Sequence, residues 1–444
     1  MVRLQRNSIG AVRRRTGIRR LSVLLLIIAA LTIALSACGG SAATPTATTT
    51  APTPAATTPP TAAPASPTAV IPSPEGATRT PGMAPPATAV SPTPALRATA
   101  PPQSTAFPMR GPHIGYGMNA WLPGTDMDRT LGLLTGAGFG WARQWISWES
   151  VEPSPGNYNW RDLDAVTAAA ERHNVKLLIV FLRSPEWAGV KGGIPPDKSL
   201  FAGFLATVAG RYKGKIAAYE VWNEQNLAIE TGGQIDVAEY VELLKAAFPA
   251  IKGADPGAFV LYGGLTPTGV NDPAVAIEDV VYLQQSYAYN GGEIKRYFDV
   301  LGAHPGGMHN PPDTFWPENP GPGPGFFEHR SFYFRRIEDL RKVMEAAGDG
   351  NKQIWLTEFG WTTKNQVRGY EYGQYNSEQD QAEYLVRAYR LAGERWPWVG
   401  VMFMWNLNFS TIVGPEDEKA PWSIINADYS PRPAYEALKR MPKR

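Results

Sequence analysis

The chain has 444 residues, 42 Lys and Arg against 40 Asp and Glu, 44 glycines, 41 prolines and one cysteine. A single cysteine excludes an internal disulfide framework and any Cys-rich zinc or iron–sulfur site. Five histidines without a His-Glu-x-x-His run give no basis for a metal centre, and no cofactor is expected. The near-zero charge hides a division: residues 1–110 hold ten basic residues and one acid (Glu75), leaving 32 bases against 39 acids in 111–444. An acidic body is a poor partner for phosphate backbones, so no nucleic-acid partner is expected.

Met1–Arg20 carries seven arginines and no acid, and Leu21–Leu35 is a nearly unbroken apolar run. Fifteen helical residues at ~1.5 Å each fall short of a ~30 Å hydrocarbon core, so the run reads as a signal-peptide core rather than a permanent span. It ends in Leu35-Ser36-Ala37-Cys38-Gly39, which resembles the lipobox of bacterial lipoproteins. The resemblance implies a signal peptide over 1–37, a lipid on Cys38, and an extracytoplasmic protein anchored to the cell membrane. If Cys38 is a chance residue, the same leader implies secretion. Residues 38–108 are almost wholly Ala, Thr, Pro and Ser. Such a composition buries too little apolar surface to offset its ordering entropy and predicts a disordered, semi-extended tether.

The body, 109–444, is a single predicted domain. Residues 111–444 hold all 14 tryptophans, all 18 tyrosines and 15 of the 16 phenylalanines. That density suits an aromatic core or a surface for flat, partly apolar ligands such as sugar rings. Eight apolar runs read as strands: His113–Asn119, Trp141–Trp148, Lys176–Arg183, Tyr219–Asn226, Phe259–Thr266, Phe298–His304, Gln353–Trp361 and Gly400–Asn408. Continuous runs such as Lys-Leu-Leu-Ile-Val-Phe-Leu at 176–182 fit strands buried on both faces of a parallel sheet. Helical patterns follow over Thr125–Thr135, Trp160–His173, Lys198–Tyr212, Asp236–Lys252, Asp272–Ala288, Ser331–Ala347, Ser377–Glu394 and Arg432–Arg440. Pro249 is expected to kink or shorten the fourth of these. Strand and helix in eightfold alternation predict an α/β fold, a (β/α)8 TIM barrel. A doubly wound nucleotide-binding sheet is the rival, but Gly136-Ala137-Gly138-Phe139-Gly140 leads from helix into strand, the wrong order for a phosphate loop.

Barrel chemistry sits at the C-terminal ends of strands. The fourth strand ends in Trp222-Asn223-Glu224 and the seventh in Thr357-Glu358-Phe359-Gly360-Trp361. Each delivers one glutamate to the same face from nearly opposite sides of the ring. Two carboxylates ~5–5.5 Å apart are what retaining glycoside hydrolysis uses, one as nucleophile and one as acid, then base. One buried glutamate alone reads equally well as a salt bridge; two at these strand ends favour chemistry.

These motifs resemble clan A of the glycoside hydrolases, especially families 5 and 39. Trp148-Glu149-Ser150-Val151-Glu152-Pro153 with Pro155-Gly156-Asn157-Tyr158-Asn159-Trp160, and the closing Pro421-Trp422 to Tyr435, are similar to further segments of those enzymes. The resemblance implies Glu224 as general acid/base and Glu358 as nucleophile. It also implies Asn223 as a ligand of the sugar 2-hydroxyl and Arg143 as the arginine holding the nucleophile ionised. His304 corresponds to a histidine on strand six, and Trp405 to the tryptophan flooring the sugar subsite at the cleaved bond. A family tyrosine is missing, its place taken by Gly306; Tyr262 or Tyr333 could supply that hydroxyl. Strand three ends in Arg183-Ser184-Pro185 where many family 5 members carry a histidine.

Trp187, Trp148 and Trp361 are candidate sugar platforms, and the Gly- and Pro-rich stretch 306–328, with Phe315, Trp316, Phe326 and Phe327, is a candidate wall of the cleft. The expectation is a monomeric retaining glycosidase that takes a β-linked polysaccharide or oligosaccharide as substrate. A non-catalytic carbohydrate-binding lipoprotein and a transglycosylase using the same glutamates are the rivals.

Overall fold

The computed structural model describes residues 114–319 and 329–443. The expected signal peptide (1–37), Cys38, the expected tether (38–108), Phe326 and Phe327 lie outside the described residues. Eight parallel strands close into a barrel: β1 (Gly115–Asn119), β2 (Trp141–Ser147), β3 (Lys176–Leu182), β4 (Ala218–Val221), β5 (Phe259–Leu265), β6 (Val300–Ala303), β7 (Gln353–Phe359) and β8 (Val399–Met404). Each pairs with its sequence neighbours, and β1 closes the ring on β8 through Gly115↔Val401 to Met118↔Met404. This is the (β/α)8 TIM barrel that the alternation of runs predicts.

The main helices are α1 (Met127–Gly136), α2 (Arg161–Arg172), α3 (Lys198–Arg211), α4 (Val237–Ala254), α5 (Asp279–Ala288), α6 (Ile337–Ala346), α7 (Glu378–Arg395) and α8 (Pro433–Arg440). Local chemistry starts several of them. The carboxylates of Asp126, Asp197 and Asp236 accept from backbone N–H groups in the first turns of α1, α3 and α4, and Ser377 with Asp380 forms a full capping box on α7. Pro249 lies inside α4, which runs on to Ala254, so it does not shorten the helix as expected. α5 begins seven residues later than the pattern suggests, because Asn271–Asp272 and Ala276–Ile277 first pair as a small antiparallel ladder.

The interior of the barrel is plugged by Leu178, Ala218, Leu261, Val300, Trp355, Val401 and Phe403, with Trp141 and Phe259 packed against them. Gly117 on β1 is required there: a Cβ would sit 2.4 Å from the Phe403 ring. A larger apolar layer seals the strands to the surrounding helices. Above the plug, at the C-terminal ends of the strands, buried polar side chains replace apolar ones.

Candidate active site

β4 ends at Val221, earlier than its apolar run suggests, because Trp222 and Glu224 adopt positive φ (71° and 48°) and turn the chain out of the sheet. The turn is pinned on both sides. Trp222 N–H donates to Phe181 O at 3.0 Å, and Glu224 N–H donates to Gly264 O at 3.0 Å. The Glu224 carboxyl thereby projects over the barrel mouth. Glu358 arrives from within β7, held in register by the ladders to β6 and β8. Carboxyl oxygens of Glu224 and Glu358 lie within 4.8 Å of each other, and both lie within that distance of a His304 ring nitrogen. The side chains are 22% and 15% exposed, so the pair is largely desolvated yet open to a substrate.

Arg143 organises the cluster from β2. Its side chain is fully buried; Nη1 donates to Glu358 Oε1 at 2.6 Å and to Asn119 Oδ1 at 2.9 Å. Nε donates to Glu220 Oε2 at 2.7 Å, and Nη2 donates to Asn223 Oδ1 at 2.8 Å. One guanidinium thus ties together residues from β1, β4, β7 and the turn after β4. Glu358 is one of four partners of Arg143. Asn223 has its carbonyl committed to Arg143, which leaves its NH2 to donate elsewhere.

His304 follows β6, with Nδ1 3.0 Å from Glu224 Oε1 and Nε2 3.8 Å from Glu358 Oε1. Gly264 makes room for this ring, since a Cβ there would lie 2.2 Å from Nε2 and 2.5 Å from Thr357 Oγ1. Burial lowers the imidazole pKa, with the charge of Glu358 opposing, so the ring favours the neutral form. Burial also pushes both carboxyls upward, and Glu224 reaches about 7. Arg143 restrains the rise of both, but it is in direct contact with Glu358 and acts on Glu224 only from a distance. Two close carboxylates of unequal environment therefore differ in protonation near neutrality, Glu224 keeping the proton and Glu358 the charge.

The tyrosines expected to replace the missing hydroxyl do not reach Glu358. Tyr262 OH pairs with Ser286 Oγ at 2.9 Å in the layer behind the barrel, and Tyr333 OH donates to Glu318 O at 2.7 Å. Among the described residues, Glu358 is held by Arg143 and approached by His304 instead.

The aromatic candidates divide. Trp405 stands at the end of β8 beside Arg143, stacked on Trp145 at 4.9 Å and against Phe409 at 4.7 Å. With Asn119, Trp121, Arg143 and Gln144 these residues line a small depression beside the guanidinium. Trp148 and Trp361 are fully buried, and Trp361 donates to Asn310 O, so both are core rather than sugar platforms. Trp187 is half-buried against Trp148, with its indole N–H committed to Glu152 O. Trp316 is 43% exposed on the loop after β6, outside the hydrogen-bonded cluster.

Sequence reasoning assigned no role to Glu220, Asn119, Trp145 or Glu230. Glu220 is fully buried and accepts from Arg143 and from Gly264 N–H, so it carries the second half of the arginine's charge balance. Its signal was available: it lies four residues before Glu224, a charged residue inside an apolar strand.

Residues 143–262 match the model of glycosyl hydrolase family 10. Endo-1,4-beta-xylanase 3 of Hypocrea jecorina is 30% identical over 122 residues, 26% of this chain and 34% of that protein, so the chain spans about a third of the length of the curated relatives it matches. A family 39 glycoside hydrolase from Bacteroides cellulosilyticus WH2 superposes with a TM-score of 0.56 at 24% identity, over 75% of this chain and 63% of the other. Native xylanase 10B from Thermotoga maritima gives 0.51 at 17% identity, over 74% and 95%. The structural likenesses speak for the fold; the sequence match adds family 10, which the motifs alone had not suggested. The match takes in Arg143, Glu220, Asn223 and Glu224 but stops before Glu358, whose position rests on the geometry above. Over residues 143–262 the chain is thus similar to glycosyl hydrolase family 10, within a barrel of eight parallel strands.

Proposed function

We propose that this protein is a retaining glycosidase that cleaves a β-linked polysaccharide, with β-1,4-xylan the first substrate to test because the matched relatives bear the name xylanase. The observation that carries the reading is the Glu224–Glu358 pair: oxygens within 4.8 Å, and a guanidinium on one carboxyl only. That spacing is nearer the ~5–5.5 Å pair of a retaining enzyme than the ~6.5–9.5 Å pair of an inverting one, which supports the retaining reading.

In the first step a Glu358 oxygen attacks the anomeric carbon while Glu224 passes its proton to the departing glycosidic oxygen, breaking the C–O bond and forming a glycosyl ester. In the second, Glu224, now a carboxylate, takes a proton from water as the water oxygen displaces Glu358. Two inversions give net retention. The free NH2 of Asn223 is placed to donate to the sugar 2-hydroxyl, and Trp405 offers an aromatic face to the ring. Trp187 and Trp316 are kept as outlying platforms for further sugar units. The lipobox-like leader supports display outside the membrane through Cys38.

The test is Glu358→Ala on the soluble body. Turnover of an aryl β-xyloside or of the active sugar in a glycoside panel should fall by at least a thousandfold, and azide should restore part of it as a glycosyl azide of inverted configuration. Wild-type turnover by the variant would overturn the assignment, and an inverted product from the wild-type enzyme would overturn the retaining mechanism.

A further inference from the structure

We propose that Arg183 and Glu230 form a polar clamp for the sugar on the leaving-group side of Glu224, binding its hydroxyls from two sides as the glycosidic oxygen is protonated. The inference rests on the glycosidase reading and extends it to a pair of side chains that the chemistry above does not use.

Both residues belong to the barrel mouth. Arg183 is the first residue after β3, and its backbone sits in the left-handed region at φ 61°. A non-glycine residue there is strained by about 1–2 kcal/mol, a cost usually found where a side chain must be aimed. Glu230 lies on the short helix Ala228–Thr231 that follows the acid/base. A run of turns links the two glutamates: Leu227 N–H donates to Glu224 O at 2.9 Å, and Glu230 N–H donates to Leu227 O at 3.1 Å. The Trp222 indole N–H closes the run on Glu230 O at 2.8 Å. The position of Glu230 relative to Glu224 is therefore fixed by three hydrogen bonds.

The helix is also locked to the loop that Arg183 begins. A Cβ on Gly193 would lie 2.7 Å from Gly232 Cα and from Thr231 O, so the two segments touch backbone to backbone. Burial and then the charge of Glu224 raise the Glu230 carboxyl to about 7, and the charge of Arg183 opposes the rise. Yet neither the Glu230 carboxyl nor the Arg183 guanidinium makes a hydrogen bond or ion pair with the described residues.

An acceptor and a five-donor fork left uncommitted beside the acid/base suit a polyhydroxylated ligand. The acid/base must stand on the leaving-group side of the scissile bond, so the unit they meet is the departing saccharide. An aryl leaving group, which lacks hydroxyls, cannot use them.

The experiment compares the soluble wild-type body with Glu230→Gln and Arg183→Gln on two probes, xylotetraose and p-nitrophenyl β-xylobioside, or the matched oligosaccharide and aryl glycoside of the panel sugar that is cleaved. Each variant should lose about ten- to a hundredfold more in kcat/KM on the oligosaccharide than on the aryl glycoside, the size of one charge-assisted hydrogen bond. Circular dichroism and thermal unfolding check the fold. Equal losses on both probes, or no loss on either, would overturn the clamp. Absence of turnover by the wild-type body on every panel sugar would instead refute the glycosidase reading itself.

Discussion

Replacing Glu224 with glutamine removes one proton-binding group and keeps an amide able to bond His304. In the native protein burial holds the Glu224 carboxyl at about 7 against an ordinary 4.5. A carboxyl raised on folding binds its proton more tightly in the native state, so its stabilising contribution is full below pH 4.5 and is lost as pH climbs to about 7. Converted, that displacement is worth about 3 kcal/mol. The side chain is 22% exposed, mostly shielded from solvent, so little of the figure is lost to screening. Glutamine has no such dependence. The melting temperature of Glu224→Gln relative to wild type should therefore rise by about 6 °C between pH 4 and pH 8, at ~2 °C per kcal/mol for a barrel of this size. Differential scanning calorimetry in matched buffers reads this directly. A difference between variant and wild type that stays constant within about 1 °C would show that Glu224 ionises as an ordinary carboxyl. The basis for its role as proton donor would then be gone.

Two further outcomes follow from the same cluster. Arg143→Met should destabilise the protein by roughly 3–5 kcal/mol in chemical unfolding, because Glu220 would be left buried and uncompensated, and should abolish turnover as Glu358 gains a proton. Gly264→Ala should fold with a displaced His304 and lose at least tenfold in kcat, since the new Cβ would stand 2.2 Å from the imidazole Nε2 and 2.5 Å from Thr357 Oγ1; unchanged kinetics would show that the ring position is immaterial.

What could be read in the chain beforehand follows from what is local. A strand buried on both faces leaves a continuous apolar run, so all eight barrel strands were visible. Glu224 and Glu358 stood out because each ends such a run within a short motif. Strand ends were harder, since the run Tyr219–Asn226 does not reveal that Trp222 and Glu224 leave the extended region. Harder still were partnerships across the barrel. Arg143 meets Glu220 across 77 positions of sequence and Glu358 across 215, and no spacing encodes either contact. Tryptophans resisted for a related reason: Trp361 and Trp405 carry the same side chain at neighbouring strand ends, and only packing distinguishes a core residue from a wall of the site. Tyr262 and Tyr333 had suitable chemistry but point elsewhere.

The position of Arg143 has a mechanical corollary. One side chain fastens three strands and the turn after β4, and it also sits against Glu358, so the closure of the ring and the charge at its mouth rest on the same guanidinium. A disturbance at any one of these contacts reaches the others through that single group.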